Sequence, residues 1–272
     1  MKKILTIILA SVLCLACVFG MTACKEDPIQ VGAQQGTTGF KYASCLKGCE
    51  AKGYETPLSA VMDMKNGKIK YVIVDKATAS TLEKEQDGIK MIDIALTSED
   101  YAIGIDRNQA QLKEDINGVL ADKATEVQAI IDKYMAGNES EYVTVTSAEY
   151  DANNQAGQLV VATNAEFPPF EAVSGNGYNG IDMEIAQLIA NELDLELVIK
   201  DMAFEAVVSA VGVNGVDIVM AALTVTADRK TSINFSNPYY KEAQVLLTLE
   251  SNTEFDEAGT VIDILSVLCA KA

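Results

Sequence analysis

Histidine and tryptophan are both absent from this chain of 272 residues. Without histidine, neither a zinc site of the HExxH type nor a serine–histidine–aspartate triad can form. A Walker phosphate-binding loop is also missing, because no glycine stands five positions before Gly67 in the Gly67–Lys68 pair. The formal net charge of −18 disfavours nucleic acid as a partner. We therefore expect no metal, no cofactor and no nucleic-acid ligand.

The first 24 residues predict where the protein works. Two lysines precede an apolar run over 4–21, which ends in the sequence MTAC at Cys24. The run is long enough to span a bilayer, so an uncleaved anchor is one interpretation. The small residues directly before Cys24 favour cleavage and lipidation of that cysteine. Residues 1–24 thus predict a lipoprotein signal peptide, and an extracytoplasmic protein anchored to the cell membrane by lipid.

Outside this leader, and beside Cys24, the chain has three cysteines: Cys45, Cys49 and Cys269. Cys45 and Cys49 can pair in an oxidising compartment, which leaves one thiol unmatched. Unpaired, buried cysteines are the alternative, and the sequence leaves the pairing open. Three cysteines without histidine do not predict a metal site.

Three linked motifs occur between Leu159 and Tyr240: LVVATNAEFPPFE, GIDMEIAQLIANEL and MAALTVTADRKTSINFSNPYY. They indicate a buried strand ending at Thr163 with an aromatic loop, an amphipathic helix and an arginine-bearing turn. A generic amphipathic helix explains the second motif but not the order of all three. Together they resemble the bacterial extracellular solute-binding proteins of family 3, the polar amino-acid class. The resemblance implies an α/β, two-lobed periplasmic-binding-protein-like fold (type II) with a ligand cleft between the lobes.

The order of the segments differs from that of the family. Residues 29–94 resemble the family's second half and IIDKYM resembles its C-terminus, whereas its usual beginning appears only at Leu159. The chain therefore resembles a circular permutation, which predicts that Ala272 and Ile29 lie close together. A domain-swapped dimer and a fragment of a longer array are the alternatives; on the permuted interpretation we expect a monomer.

The resemblance also implies the domain boundaries. One lobe comprises 29–94 plus 244–272, the other comprises 95–135 plus 159–243, and a polar linker covers 136–158. Strands near 95–106 and 243–250 cross between the lobes and form a hinge. Within the lobes the pattern predicts strands in VGAQQ, IKYVIVD, YAIGID and AQVLLTLE, and helices over 58–67, 76–86, 109–135 and 261–268.

The resemblance assigns ligand contacts to specific residues. Arg229 is expected to hold a ligand carboxylate with two charge-assisted hydrogen bonds, although a surface arginine paired with Asp228 is the alternative. Thr224 and the backbone of Ala222, where family members commonly have glycine, assist the same carboxylate. Asp75, at the end of a buried strand in the opposite lobe, is expected to receive the ligand ammonium.

Further contacts follow from the same resemblance. Gly36, Thr37 and Thr38 open a helix whose amides suit an anion, although Thr37 also fits an ordinary N-cap. Phe167 and Phe204 are expected to form an aromatic wall, or else to belong to the core. Asn164 and Gln34 favour a ligand with a neutral polar side chain.

The implied function is that of the substrate-binding component of an ABC importer, which captures an amino acid by cleft closure and delivers it to a membrane permease. On this interpretation the protein is not an enzyme. Two alternatives remain: an amino-acid sensing domain of a signalling system, and a cyclohexadienyl-dehydratase-like enzyme. The enzyme needs an acid or base in the cleft, for which Glu166 is the candidate.

Overall fold

The computed structural model of the protein describes residues 27–270. The predicted leader with Cys24, and Ala272, lie outside these residues. Along the described chain, no helix combines the length and the apolar character that crossing a membrane requires. Cys45, Cys49 and Cys269 are all free thiols in the structure.

The strands, numbered along the chain, are β1 Ile29–Gln34, β2 Cys49–Tyr54, β3 Tyr71–Asp75, β4 Ile89–Ile92, β5 Glu99–Tyr101, β6 Gly104–Ile105, β7 Gln158–Thr163, β8 Glu166–Phe167, β9 Glu171–Ser174, β10 Gly177–Asn179, β11 Glu196–Asp201, β12 Ile218–Val219, β13 Asn234–Phe235, β14 Tyr240–Glu242 and β15 Gln244–Leu249. The α-helices are α1 Thr38–Cys45, α2 Pro57–Lys65, α3 Lys76–Glu85, α4 Ala110–Asp122, α5 Ala124–Met135, α6 Ile181–Glu192, α7 Phe204–Ala210 and α8 Val261–Leu268. Strands and helices alternate, as the predicted α/β class requires.

Two five-stranded sheets form the centres of two lobes. The first lobe has the strand order β2-β1-β3-β15-β4, and the second has the order β11-β7-β12-β6-β13. In the first sheet β1, β2 and β3 are parallel, while β15 runs antiparallel to β3 and β4. Every residue of β3 and of β7 is buried, which explains why both read as continuous apolar runs in the sequence.

Helix α6 shows how the second motif folds. Ile181, Ile185 and Ile189 recur at helical spacing and are fully buried against the second sheet. Gly180 precedes the helix with φ of 128°, and a Cβ at this position would lie 2.1 Å from the carbonyl oxygen of Phe170. Only glycine fits this close approach, so the glycine that opens the motif has a steric cause.

The chain crosses between the lobes at two places, and the two crossings pair with each other. Strands β5 and β14 are antiparallel, with Tyr101 opposite Tyr240. The single strand predicted for YAIGID is therefore wrong: it is divided into β5 and β6. The amide of Ala102 donates to Leu223 O, and that of Ile103 donates to Ser236 Oγ, so neither continues a regular ladder.

Two other features depart from the predicted elements. Strand β2 lies in a segment for which no element was predicted; it is a charged edge strand without a buried run. The stretch 109–135 forms two helices that meet at Lys123 instead of one. In the predicted linker, Val145 forms an antiparallel bridge with Tyr178, so this segment packs on the second lobe. The domain boundaries themselves stay a prediction.

Candidate ligand-binding site

A small cavity of about 10 Å³, room for about one water molecule, lies between the two lobes. It is lined by Thr37, Thr38 and Asp75 of the first lobe and by Phe167, Phe204, Ala221, Ala222, Thr224 and Arg229 of the second. All except Ala221 are residues that the sequence predicts for the site. The remaining predicted residues, Gly36, Gln34 and Asn164, lie immediately beside this cavity through the contacts described below.

Arg229 is partly buried at the start of a 3₁₀ turn, Arg229–Thr231. Its Nη1 donates to Thr224 O at 2.8 Å and its Nη2 to Gly36 O at 3.2 Å, so the guanidinium touches both lobes. The guanidinium carbon is 5.5 Å from the centroid of the Phe204 ring. Burial lowers the pKa of Arg229, although the nearby carboxylates oppose this. With five N–H groups, the guanidinium retains donors for an anion.

Asp75 ends β3 and is buried, with 5 % of its surface exposed. Its Oδ1 accepts hydrogen bonds from Tyr101 Oη and, at 2.8 Å, from Gln244 Nε2. Within residues 27–270, no hydrogen bond reaches Oδ2, and Asp75 is one of the residues that line the cavity. Burial, together with the negative charges of Glu242 and Glu99, raises the pKa of Asp75 to about 8, although the hydrogen bonds from Tyr101 and Gln244 oppose the rise. Oδ2 is thus an unpaired acceptor when Asp75 is ionised and carries the proton when it is not.

A second carboxyl group, which the sequence analysis missed, stands behind the cavity wall. Glu99 on β5 accepts hydrogen bonds from Thr38 Oγ1 at 2.9 Å, Thr224 Oγ1 at 2.6 Å and Thr97 Oγ1 at 2.8 Å. The only available signal was an acidic residue inside the predicted hinge segment. Two of its three partners, Thr38 and Thr224, come from distant parts of the chain, so the sequence alone could not reveal this cluster.

Ala222 adopts the left-handed conformation, with φ of 47°. Such a conformation costs an alanine on the order of 1–2 kcal/mol, which explains why glycine suits this position in the family. The amide of Ala222 donates to Asp182 Oδ2 at 2.8 Å, and Tyr239 Oη donates to Asp182 Oδ1 at 2.6 Å. Burial raises the pKa of Asp182 to about 6. Asp182 therefore holds the turn on which the cavity-lining residues Ala221 and Ala222 stand.

The helix start at Gly36–Thr38 has the expected geometry. Gly36 has φ of 81°, and the Thr37 hydroxyl accepts from the amide of Phe40 at 3.1 Å while donating to Gln34 O at 2.6 Å. Thr37 is thus an ordinary N-cap, and its hydroxyl is fully engaged. Thr38 is the first helical residue, and its amide has no acceptor within the helix. This amide is the donor that the turn can offer to an anion.

The lobes are closed against each other. Gln34 Nε2 donates to Asn164 Oδ1 across the cleft at 2.8 Å, while Asn164 Nδ2 donates to Met202 O. Gln34 Oε1 is buried and has no hydrogen-bond partner among the described residues. At the cleft edge, Lys41 of the first lobe forms an exposed ion pair with Asp228 of the second. The expected alternative partner of Arg229, Asp228, is therefore engaged by Lys41.

The two lobes enclose a polar cavity in the cleft between them. The model of the family "Bacterial extracellular solute-binding proteins, family 3" matches residues 159–261. Over these residues, which carry the three motifs, the chain is similar to that family.

Relatives with curated names match over the same part of the chain. The arginine-binding extracellular protein ArtP of Bacillus subtilis is 31% identical over 91 residues, which is 34% of this chain and 36% of ArtP. A cyclohexadienyl dehydratase of Pseudomonas aeruginosa is 28% identical over 96 residues, which is 35% of this chain and 36% of the dehydratase. This chain thus spans about a third of the length of the curated relatives that it matches.

Among solved structures, the arginine-bound form of domain 1 from TmArgBP is 26% identical, covering 46% of this chain and 100% of that domain, with a TM-score of 0.31.

Proposed function

We propose that this protein captures an amino acid by closure of the cleft. The observation that carries the proposal is that Arg229 of the second lobe and Asp75 of the first line the same cavity. An α-amino acid carries a carboxylate and an ammonium on one carbon, and these two side chains offer the matching opposite charges. Neither lobe alone contains both groups, so a ligand gains its full set of contacts only in the closed form.

Closure supplies the mechanism. A ligand shifts the equilibrium between open and closed forms only by its greater affinity for one of them. The hydrogen bonds from Arg229 to Gly36 O and from Gln34 to Asn164 join the two lobes and exist only when the lobes are closed. A ligand held by Arg229 and Asp75 adds to these contacts and thereby stabilises the closed form.

The ligand's side chain is proposed to carry N–H donors. The prediction of a neutral polar ligand rests on Asn164 and Gln34, and an amide side chain such as that of glutamine fits it. The unpaired groups beside the cavity, Gln34 Oε1 and Asp75 Oδ2, are acceptors, and the nearby Glu99 adds negative charge. These acceptors favour a basic amino acid as the second candidate, in keeping with the name of the arginine-binding relative.

The cellular role completes the proposal. Family 3 consists of extracellular solute-binding proteins, and we propose that this one is anchored by lipid at Cys24, acts as a monomer and delivers its ligand to an ABC permease. A sensing domain uses the same cleft and remains the alternative. For the dehydratase-like enzyme, the proposed acid or base was Glu166, which is exposed and is not among the residues that line the cavity.

A thermal-shift screen tests the proposal. Residues 25–272 are purified and heated with each proteinogenic amino acid and with cystine. We expect one amino acid or a small group of them to stabilise the protein, by about 2.7 kcal/mol at a hundred times the Kd. Glutamine and asparagine as hits support the neutral ligand, whereas arginine, lysine or histidine support the basic one. If no amino acid raises the melting temperature, the proposed function is wrong.

The permuted chain order is part of the proposal. The Sγ of Cys49 lies 3.3 Å from Leu268 O, and Cys49 is the register partner of Ile29 on the neighbouring strand. Adjacent strands are about 4.8 Å apart. The end of α8 therefore lies beside β2, at the residue that is paired with the first residue of β1. Ile29 and Leu268 also belong to one buried apolar cluster. These contacts support a connection that originally ran from α8 into β1.

A rejoined chain tests this order. Leu268 is linked to Ile29 through a short glycine–serine linker, and new ends are opened between the exposed residues Asn153 and Asn154. We expect a monomer by light scattering, with the same ligand and a melting temperature within a few degrees of the parent. A rejoined chain that fails to fold, or a parent chain that is dimeric, favours exchange of halves between two chains instead.

A further inference from the structure

All three threonine hydroxyl groups around Glu99 donate a hydrogen bond to its carboxylate. Thr38 and Thr224 donate to the same oxygen, Oε2, from opposite lobes, and Thr97 donates to Oε1. Glu99 is 8 % exposed and does not line the cavity, whereas Thr38 and Thr224 do. The carboxyl group therefore lies behind the two threonines, with their hydroxyl groups between it and the ligand space.

The direction of these bonds determines what the threonines can offer. A hydroxyl group has one proton to donate and two lone pairs that accept. Because Thr38 and Thr224 both give their proton to Glu99, they present only lone pairs to the cavity. Thr38 Oγ1 also accepts from Gln244 Nε2 at 3.2 Å, so one lone pair remains on it. Asp75 lines the same cavity, and its carboxyl group adds a further acceptor when a ligand ammonium displaces its proton.

We propose that Glu99 is a positioning residue that determines specificity, because it makes this wall of the cleft an acceptor-only subsite for the ligand's N–H groups. The proposal rests on the proposed amino-acid binding and deepens it. It reassigns the Thr224 hydroxyl, which the sequence predicted to assist the ligand carboxylate: that hydroxyl has no proton left to donate. The carboxylate is bound by Arg229 and the amide of Thr38, and the ammonium faces the acceptor wall.

The structure ties this subsite to closure. Thr224 and Glu99 lie on the second lobe and its hinge strand, and Val225 N donates to Asp100 O at 2.9 Å beside them. Thr38 comes from the first lobe, so in this closed form its bond to Glu99 joins that lobe to the crossing strand. The acceptor wall is complete in this closed form, in which a ligand group without an N–H donor meets only lone pairs on that wall.

The replacement Glu99→Gln tests the inference. With the glutamine Nε2 in the place of Oε2, it donates to Thr38 and Thr224, whose own protons then turn toward the cavity and break the acceptor-only character. We expect the affinity for the amino acid found in the screen to fall about tenfold or more by calorimetry. The preference for that amino acid over its 2-oxo analogue, in which a carbonyl replaces the ammonium, should narrow by about the same factor.

Two further variants complete the design. Thr224→Val removes one hydroxyl at nearly constant volume and should weaken amino-acid binding in the same direction, which guards against misfolding of Glu99→Gln. Glu184→Gln is the matched control, because Glu184 is also a hydrogen-bonded, partly buried carboxylate but contacts Lys133 and Tyr134 instead of the cleft. It should leave the selectivity ratio unchanged.

The outcomes separate the two proposals. A wild-type protein that binds no amino acid overturns the proposed function, and this inference falls with it. A wild-type protein that binds, together with Glu99→Gln of unchanged selectivity, overturns the role of Glu99 and leaves the function standing. Equal weakening of the amino acid and its 2-oxo analogue also counts against it, since that marks a merely structural role. The inference is supported if Glu99→Gln shows a smaller preference for the amino acid over its 2-oxo analogue and Glu184→Gln shows the wild-type preference.

Discussion

Replacing Arg229 with alanine is expected to abolish detectable amino-acid binding while leaving the protein folded. Charge-assisted hydrogen bonds contribute about 1.5–3 kcal/mol each, so losing a two-bond contact lowers affinity by roughly a hundredfold to ten-thousandfold. The variant also loses the contact with Gly36 O that joins the lobes in the closed form. Calorimetry with the amino acid from the screen measures the loss, and circular dichroism checks the fold.

Arg107→Ala is the matched control for this prediction. Arg107 is exposed and donates to Thr231 O at 2.7 Å, so it is anchored to the same 3₁₀ turn that carries Arg229. Its replacement removes an equal charge from the same part of the surface without touching the cavity. We expect its affinity to change by less than about threefold. If Arg229→Ala keeps the wild-type affinity, Arg229 does not bind the ligand.

The replacement Asp75→Asn is expected to have the second-largest effect on binding. Its Oδ1 can still accept from Tyr101 and Gln244, so the packing around it is retained. The group on the cavity side, however, changes from an unpaired acceptor into an N–H donor, which repels an ammonium. We expect at least about a hundredfold loss of affinity, measured by calorimetry.

The same variant should change the pH dependence of stability. The folded-state pKa of Asp75, about 8, lies above its ordinary value of 3.8, because burial disfavours the charged form. Its stabilising contribution is full below about pH 4 and is lost as pH rises through 8. Asparagine carries no such charge, so the melting temperature of Asp75→Asn should increasingly exceed that of the wild type between pH 5 and pH 9.

The affinity of the wild-type protein for its ligand should rise with pH, whereas the contribution of Asp75 to stability falls. The ligand ammonium competes with the proton on Asp75, so wild-type affinity should rise from pH 6 to pH 8 and that of Asp75→Asn should not. Asp217→Asn is the control: Asp217 is partly buried and hydrogen-bonded to Gln109 and the amide of Val160, and it does not line the cavity. It should retain the wild-type pH slope. If the affinity of Asp75→Asn changes with pH as that of the wild type does, a group other than Asp75 causes the pH dependence.

Local pattern predicted the regular elements well where burial was uniform. The continuous apolar run of β3 and the helical spacing of α6 appear as expected, because a fully buried strand or face leaves a direct mark on residue type. Strand β2 was missed because an edge strand exposes half its residues and tolerates charge. The break between β5 and β6 was missed because it depends on Leu223 and Ser236, which come from remote parts of the chain.

In the candidate site, too, local sequence patterns pointed to some residues and not to others. Arg229 and Asp75 were identified because each lies within a motif typical of the family, at the end of an element whose position the local pattern reveals. Glu99 was not identified, because nothing near it in the chain indicates that it meets Thr38 and Thr224. Residue types and element ends are local properties that a sequence records directly. Hydrogen-bond direction, burial and the pairing of lobes depend on contacts between distant segments, and these arise only when the chain has folded.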